Sequence, residues 1–200
     1  MFKNKLKSNA KKIDLFLKNY LKSQKRSLLI NPMNYGVLSG GKKIRSSIIF
    51  AAGKLYNLKS NNLLNICGAV ECIHSYSLIH DDLPCMDNDS LRRGKPTTHI
   101  KYGEASAVLA GSSLLTLAFE IITDKKFKLN SKSKNQIVSS LAICSGHTGI
   151  AGGQELDLKF ENKNKTLNQI IDMQKKKTGK LFNFCLYAVG VISNKSKKEK

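Results

Sequence analysis

Negative charge is concentrated in one short segment of this sequence. The chain has 14 Asp and Glu residues against 34 Lys and Arg, yet Asp81, Asp82, Asp87 and Asp89 fall within nine positions. Carboxylates this close repel one another unless a cation neutralises them. A few oxygen ligands that share a cation with phosphates suit Mg²⁺. The segment therefore predicts a magnesium site, with a solvated acidic turn as the alternative.

Pro84 lies between these aspartates and decides whether they can meet. On a helix that enters the cluster, His74, Leu78 and Asp81 share one face because they are spaced i, i+4 and i+7. Asp87 follows Asp81 by six residues, and this spacing does not place it on the same face of a straight helix. A kink or break at the proline would swing Asp87 back towards Asp81.

Arginine is rare in this chain, so its positions carry more information than those of lysine. Four of the 34 basic residues are arginines, at positions 26, 45, 92 and 93. A guanidinium offers phosphate or carboxylate a bidentate fork that lysine cannot supply. Arg92 and Arg93 directly follow the acidic cluster, and adjacent side chains point to different sides. We predict that they bind two different anions, phosphates in the first place, with internal ion pairs as the alternative.

A second anion site is indicated by the segment GGKKIR at residues 40–45. It resembles a P-loop but fails as one, because Lys43 stands where Ser or Thr would bind Mg²⁺ and no strand precedes it. Read as a Gly-Gly turn that opens a helix, it offers backbone N–H groups together with Lys42 and Arg45. An ordinary turn before a basic helix is the alternative.

Apolar residues recur at helical spacing through almost every segment that could position these groups. We predict helices at about 6–21, 43–56, 104–122, 133–144 and 166–192, and one more from a Ser60 cap to the acidic cluster. Residues 27–41 interrupt the pattern, and 194–200 are expected to form a frayed basic tail. No strand alternation of useful length occurs. One all-α domain over residues 1–200 is expected.

The formal net charge of +20 suggests nucleic acid or an anionic surface as a partner. The lysines, however, are spread along the chain without interleaved aromatic residues, so we expect no nucleic-acid partner. No apolar run approaches the roughly 18 residues that span a bilayer, and the N-terminus lacks a secretory signal. We expect a cytoplasmic protein without stable membrane insertion.

Taken in order, five segments resemble the bacterial short-chain trans-polyprenyl diphosphate synthases, with those of the farnesyl type most similar. The segments are YGVLSGGKKIR, AVECIHSYSLIHDDLPCMDNDSLRRGKPTTH, YGEASAVLAGSSLLTLAFEII, GGQELDL and KKKTGKL. The resemblance covers about residues 35–186, and its most specific part is D-D-x-x-x-x-D followed by L-R-R-G. It implies the isoprenoid synthase fold, an all-α helical bundle around a central cavity.

The resemblance also implies a role for each candidate residue. Asp81 and Asp87 would ligate Mg²⁺ that bridges the diphosphate of dimethylallyl or geranyl diphosphate, supported by Asp82. The residues implied to hold this allylic diphosphate are Arg92, Lys177 and Thr178, with Lys177 counted as catalytic beside the three aspartates. Those implied to hold the diphosphate of isopentenyl diphosphate are Lys42, Arg45, His74 and Arg93. Tyr76 and Ser77 would limit chain length and give mainly a C15 product.

The implied reaction is a prenyl transfer. The allylic C–O bond ionises with the assistance of Mg²⁺, the isopentenyl double bond attacks the cation, and loss of a proton gives farnesyl diphosphate. Apolar helix walls would keep water from the cation. A geranylgeranyl diphosphate synthase is an alternative.

The sequence departs from the family pattern in two respects. The Gly-Gly-Lys motif usually continues Arg-x-Arg-Pro, whereas this chain has Lys43-Ile44-Arg45-Ser46. A second Asp-rich motif and the family's last helices do not occur in the 200 residues. A C-terminally shortened, weakly active or inactive chain is therefore expected, with a relative that only binds diphosphates or a partner subunit as the alternative. A homodimer is a further expectation.

Overall fold

The structure, a computed structural model, describes residues 2–194 apart from the side chain of Phe2. All but the first residue of the basic tail expected at 194–200 lies outside the described residues. The helices are α1 (Phe2–Lys22), α2 (Ile30–Val37), α3 (Ile44–Leu55), a 3₁₀ turn (Ser60–Leu63), α4 (Leu64–Asp81), α5 (Thr98–Tyr102), α6 (Glu104–Thr123), α7 (Ser131–Ser145), α8 (Ile150–Phe160), α9 (Leu167–Gln174), a π turn (Lys175–Gly179) and α10 (Lys180–Ile192). The only strands within residues 2–194 are β1 (Leu91–Arg92) and β2 (Lys95–Pro96), which pair in a two-residue antiparallel ladder. The all-α prediction is confirmed.

The chain divides into two compact units, Met1–Phe127 and Lys128–Lys200. The first contains α1 to α6 and the short hairpin, and the second contains α7 to α10 with the π turn. The single domain expected over residues 1–200 stays a prediction.

Several predicted helix boundaries were wrong. The expected break at 27–41 contains α2, whose Pro32 lies in the first turn, where a helix needs no N–H donor. Ser60 begins a 3₁₀ turn instead of capping α4. The single helix expected at 166–192 is divided by the π turn, and its first part, α9, begins at a capping box formed by Thr166 and Gln169.

Helix α4 is the centre of the first unit. Eight consecutive residues, 66–73, are buried, because α1, α2, α3 and α6 all pack around this helix. A helix buried on all sides shows no amphipathic period, which explains why residues 66–73 have no polar face and only one charged residue, Glu71. The polar side chains that it carries must then find partners inside the unit.

Helices α4 and α6 approach each other closely where α6 has a glycine. The ring of His80 on α4 lies over Gly111 and makes a hydrogen bond of 3.0 Å with the carbonyl oxygen of Val108. A Cβ atom on Gly111 would lie 2.5 Å from Cδ2 of His80. The ring also packs edge-on against Tyr76, with 5.8 Å between centroids, so it is held from two sides.

Helix α6 has the length and composition of a membrane span. The sequence of this helix has no long uninterrupted apolar run, because Ser and Thr residues divide it. Its buried side packs on α4, as the core helix of a globular unit does. The absence of membrane insertion stays a prediction.

Gly111→Ala should destabilise the first unit, because the added methyl group meets a ring that cannot move freely. We expect a loss of about 1–3 kcal/mol in the free energy of unfolding, as for other overpacked cores. Urea unfolding followed by circular dichroism measures it. Ser112→Ala is the matched control, since Ser112 is exposed on the same helix and should change stability by no more than about 0.5 kcal/mol. Equal stability of the two variants would contradict the close packing.

Candidate functional site

The acidic segment forms a turn that returns the chain on itself. Helix α4 ends at Asp81, and the turn that follows contains Pro84 and leads to Asn88 in the left-handed region, with φ of 53°. The backbone N–H of Asp87 donates to the carbonyl oxygen of Asp81 at 2.8 Å. The expected break at the proline therefore occurs, and it brings Asp87 beside the end of α4.

Asp81 and Asp87 have the chemistry of a partial magnesium site. Asp87 is exposed and Asp81 is half-buried, so ligands from solvent can reach the turn. Among the described residues, no cluster of three or more His, Cys, Asp and Glu side chains could hold a metal alone. Two carboxylates that leave positions for water and phosphate oxygens fit Mg²⁺, which rarely takes an all-protein cage.

Arg92 is engaged by the other two aspartates. Its Nε donates to Asp82 Oδ1 at 2.8 Å, and its Nη2 donates to Asp82 and, at 3.0 Å, to Asp89 Oδ2. The alternative of an internal ion pair thus holds for this arginine. Burial raises the pKa of the Asp82 carboxyl, and the hydrogen bond from Arg92 opposes that shift. The hydrogen bond to Asp82 raises the pKa of Arg92, which stays charged.

The hairpin turn sends Arg93 the other way. Arg93 and Gly94, the two residues between the strands, both have positive φ, 55° and 73°, as a type I′ turn requires. The Nη1 atom of Arg93 donates to Ser39 Oγ at 3.3 Å and to the carbonyl oxygen of Gly40. The prediction that the two guanidiniums point to different sides is confirmed.

The Gly-Gly segment is a turn that opens α3, as expected. Gly40 and Gly41 have φ of 91° and 105°, and Lys43 has φ of 47°. Gly41 lies beneath the guanidinium of Arg93, where a Cβ atom would be 2.7 Å from Cζ. At this position both the backbone conformation and the approach of Arg93 require glycine.

An open cavity of about 380 Å³ lies between this turn, Arg93 and α4. Its lining includes all four residues expected to hold one diphosphate, which are Lys42, Arg45, His74 and Arg93. Burial lowers the pKa of His74 to about 3, assisted by the charges of Arg45, Arg93, Lys43 and Arg92. The imidazole is therefore neutral near pH 7 and can donate one N–H to an anion.

A buried ion pair at the base of this cavity was missed from the sequence. Lys43 Nζ donates to the carbonyl oxygen of Val37 at 2.8 Å and lies 3.6 Å from both Glu71 Oε2 and Asp14 Oδ1. Ser46 Oγ donates to Glu71 Oε1 at 2.7 Å. The sequence does contain a signal for this ion pair. Glu71 is the single charged residue in the apolar run AVECI, and a charge in a buried helix needs a partner.

Tyr76 and Ser77, the expected chain-length residues, lie on α4 one turn before Asp81. Tyr76 is 7% exposed, and burial raises its pKa to about 12, with the charge of Asp81 adding to the shift. Ser77 is half-buried, and its hydroxyl donates to the carbonyl oxygen of His74.

In the second unit, Lys177 and Thr178 lie in the π turn. Lys177 Nζ donates to Asp157 Oδ2 on α8 at 2.5 Å. Gly153 allows the close approach of α8, because a Cβ there would overlap the backbone of Lys177. A π turn inside a helix often marks a functional position, and here it presents Lys177 to an acidic partner.

The sequence profile of the polyprenyl synthetase family matches residues 26–200. Farnesyl diphosphate synthase of Escherichia coli is 46% identical over 154 residues, 76% of this chain and 52% of that protein. The enzyme of the same name from Bacillus subtilis is 41% identical over 173 residues, 86% of this chain and 57% of that protein. The chain thus spans little more than half the length of these relatives.

Solved structures of similar proteins have the same fold. An FPP/GFPP synthase from Zymomonas mobilis in its apo form superposes with a TM-score of 0.92 at 40% identity, over 97% of this chain and 71% of that chain. A geranyltranstransferase from Thermotoga maritima superposes with a TM-score of 0.82 at 32% identity, over 97% of this chain and 71% of that chain. The expected isoprenoid synthase fold is confirmed.

Gly41→Ala should weaken anion binding in the cavity by displacing Arg93, and inorganic pyrophosphate is a suitable probe. We expect its affinity to fall by about tenfold, the value of one charge-assisted contact. Gly40→Ala is the matched control, because Gly40 also has a positive φ, 91°, but a Cβ atom there would meet no other atom within 4 Å. Isothermal titration calorimetry on both variants separates the two effects, and equal losses of affinity would contradict the role of Arg93.

Proposed function

Because this chain belongs to the polyprenyl synthetase family, we propose that it takes part in prenyl transfer from dimethylallyl or geranyl diphosphate to isopentenyl diphosphate, with farnesyl diphosphate as the product. The observation that carries the proposal is the convergence of Lys42, Arg45, His74 and Arg93 on one cavity. On the hairpin, Arg93 directly follows Arg92, which the acidic turn holds. Two diphosphates need two such anion sites.

The cavity is the proposed site for the diphosphate of isopentenyl diphosphate. Lys42 and Arg45 supply positive charge from the start of α3, and Arg93 adds its guanidinium from the hairpin. His74 supplies a neutral N–H donor, since its lowered pKa keeps it uncharged near pH 7.

The acidic turn is the proposed site for the allylic diphosphate. Asp81 and Asp87 would hold Mg²⁺, which when bound neutralises charge on the leaving diphosphate. Asp82 and Asp89 fix the guanidinium of Arg92. A guanidinium has five N–H donors, so Arg92 can keep both carboxylates and still donate to a phosphate.

The proposed reaction needs no protein nucleophile. The allylic C–O bond breaks, and its electron pair leaves with the diphosphate, whose developing charge Arg92 stabilises. The double bond of isopentenyl diphosphate forms the new C–C bond to the allylic carbon. A proton then passes from the condensed chain to the departing diphosphate, and a double bond is restored.

The remaining expectations have different support. The diphosphate-binding roles of Lys177 and Thr178 rest on the resemblance. The cytoplasmic location rests on the sequence, and the homodimer is a further expectation. All of them stay predictions. The product length rests on Tyr76, whose ring is buried one turn from Asp81 and wedged against His80. A buried ring packed against a neighbouring ring is a suitable floor for a growing chain.

Asp81→Asn and Asp87→Asn should each abolish the Mg²⁺-dependent part of allylic diphosphate binding. We expect a loss of at least about tenfold, because one of two carboxylate ligands is removed. Calorimetry with dimethylallyl thiolodiphosphate, which does not ionise readily, measures this with and without Mg²⁺. Asp172→Asn, an exposed aspartate outside the acidic turn, is the control.

The same preparations test the whole reaction. Formation of a C15 product from geranyl and isopentenyl diphosphates supports prenyl transfer. Binding of both diphosphates without any product favours the alternative of a diphosphate-binding relative. Mg²⁺-dependent binding that survives in both Asp variants would show that the metal lies elsewhere.

Tyr76→Ala should lengthen the product from C15 to C20 or more wherever turnover is measured. The truncated side chain leaves a space in which the growing chain can continue. Thin-layer chromatography of the hydrolysed products reports the chain length. Tyr76→Phe, which keeps the ring, should leave the C15 product unchanged. An unchanged product of Tyr76→Ala would assign the floor to another residue and remove the argument against a geranylgeranyl product.

A further inference from the structure

We propose that Lys43, Ser46 and Glu71 are positioning residues for the isopentenyl diphosphate site, an inference that rests on the proposed function. These three residues, called here the buried triad, lock the start of α3 onto α4. They thereby set the spacing between the cations of the Gly-Gly turn and His74. The triad acts on the ligand through its neighbours in the chain.

The carboxylate of Glu71 is satisfied at both oxygens by residues of α3 and the turn before it. Ser46 Oγ donates to Oε1 at 2.7 Å, and Lys43 Nζ lies 3.6 Å from Oε2. The side chains of Lys43 and Glu71 are only 4% and 3% exposed. An ion pair this deeply buried holds its geometry, because separating the partners would leave an uncompensated charge inside the protein.

Lys43 also fixes the path of the backbone. Its Nζ donates to the carbonyl oxygen of Val37, which is the last residue of α2. Its backbone is in the left-handed region, with φ of 47°, which is unfavourable for a side chain with a Cβ atom. The buried contacts of the lysine hold this conformation, and the left-handed residue turns the chain from Gly41 into α3.

Lys43 and Glu71 belong to the cavity lining, but their side chains are almost fully buried, so the triad acts through the diphosphate-binding residues beside it. Lys42 directly precedes Lys43, and Arg45 directly precedes Ser46. Glu71 and His74 are spaced i, i+3 on α4, so they share one face of that helix. A change in the Lys43–Glu71 contact therefore shifts Lys42 and Arg45 relative to His74.

The triad also moderates repulsion in the cavity. Lys42, Lys43, Arg45 and Arg93 bring four positive charges together, and Glu71 is the only acidic residue in the lining. Asp14 lies at 3.6 Å from Lys43 but is 39% exposed, so solvent weakens its compensation. Without Glu71, the cations would separate before a ligand binds.

The test is Glu71→Gln, which keeps an oxygen for Ser46 but removes the charge that pairs with Lys43. Binding of isopentenyl diphosphate without Mg²⁺ should weaken by about tenfold or more in calorimetry. Mg²⁺-dependent binding of dimethylallyl thiolodiphosphate should stay within about threefold of wild type. A general loss of folding would weaken both ligands alike, so the difference between them identifies positioning.

Further variants keep the inference testable if Glu71→Gln folds poorly. Ser46→Ala removes one hydrogen bond and should weaken isopentenyl diphosphate alone, by about threefold. Lys43→Arg keeps the charge and should retain affinity within about threefold, whereas Lys43→Met should lose about tenfold. The double variant Lys43→Met/Glu71→Gln should lose less than the product of the two single losses, because neither charge is left unpaired.

The outcomes separate the two proposals. Wild-type protein that binds no isopentenyl diphosphate would overturn the proposed function together with this inference. Wild-type binding with unchanged affinity in Glu71→Gln, or equal losses for both ligands in Ser46→Ala, would overturn only the positioning role. Independent, multiplying losses in the double variant would also overturn it, since they would show that Lys43 and Glu71 act separately.

Discussion

The first unit depends on a helix that has to be buried on every side. Residues 66–73 of α4 contact neighbours all round, so each polar group along this stretch needs an internal partner. Glu71 finds it in Lys43 and Ser46, and that demand fixes where α3 begins. Beyond the end of the same helix, Asp82 is still buried, and the chain turns into solvent from Pro84 onward. Core packing and the geometry of the candidate site are therefore decided by one helix.

Opposite charges lie side by side because two backbone turns bring the aspartates together and direct the two arginines to different sites. The turn after α4 gathers the aspartates, and the two-residue hairpin gives one arginine to them and the other to the Gly-Gly turn. Both arrangements depend on left-handed residues, which are Asn88 in the acidic turn and Arg93 in the hairpin. The acidic turn thus holds Arg92 by ion pairs, while the cavity holds an excess of cations around a neutral His74.

The contacts of Lys43 and Ser46 give a physical role to the positions at which this chain departs from the family's Gly-Gly-Lys motif. Lys43 and Ser46 stand where the pattern has Arg and Pro, and both contact Glu71. An arginine can bind a carboxylate through two N–H groups, whereas a lysine binds as a point charge. Here the hydroxyl of Ser46 donates a hydrogen bond to one oxygen of the carboxylate at 2.7 Å, and Lys43 Nζ lies 3.6 Å from the other. The two substitutions together leave no oxygen of Glu71 without a partner.

The sequence alone determined the all-α class, the break at Pro84, the glycine turn before α3 and the candidate ligands, because periodicity, proline sterics and side-chain chemistry are local properties. It did not predict α2 or α8, since an Asn-Pro start and a glycine-rich start read locally as loops. Only the tertiary structure decided that Arg92 pairs with Asp82, that four cavity residues from three segments meet, and that Glu71 holds Lys43. The Arg92–Asp82 contact joins residues 10 positions apart, and the others join segments that are further apart in the chain. Such contacts depend on which segments the fold brings together and buries, and no short window of sequence contains that information.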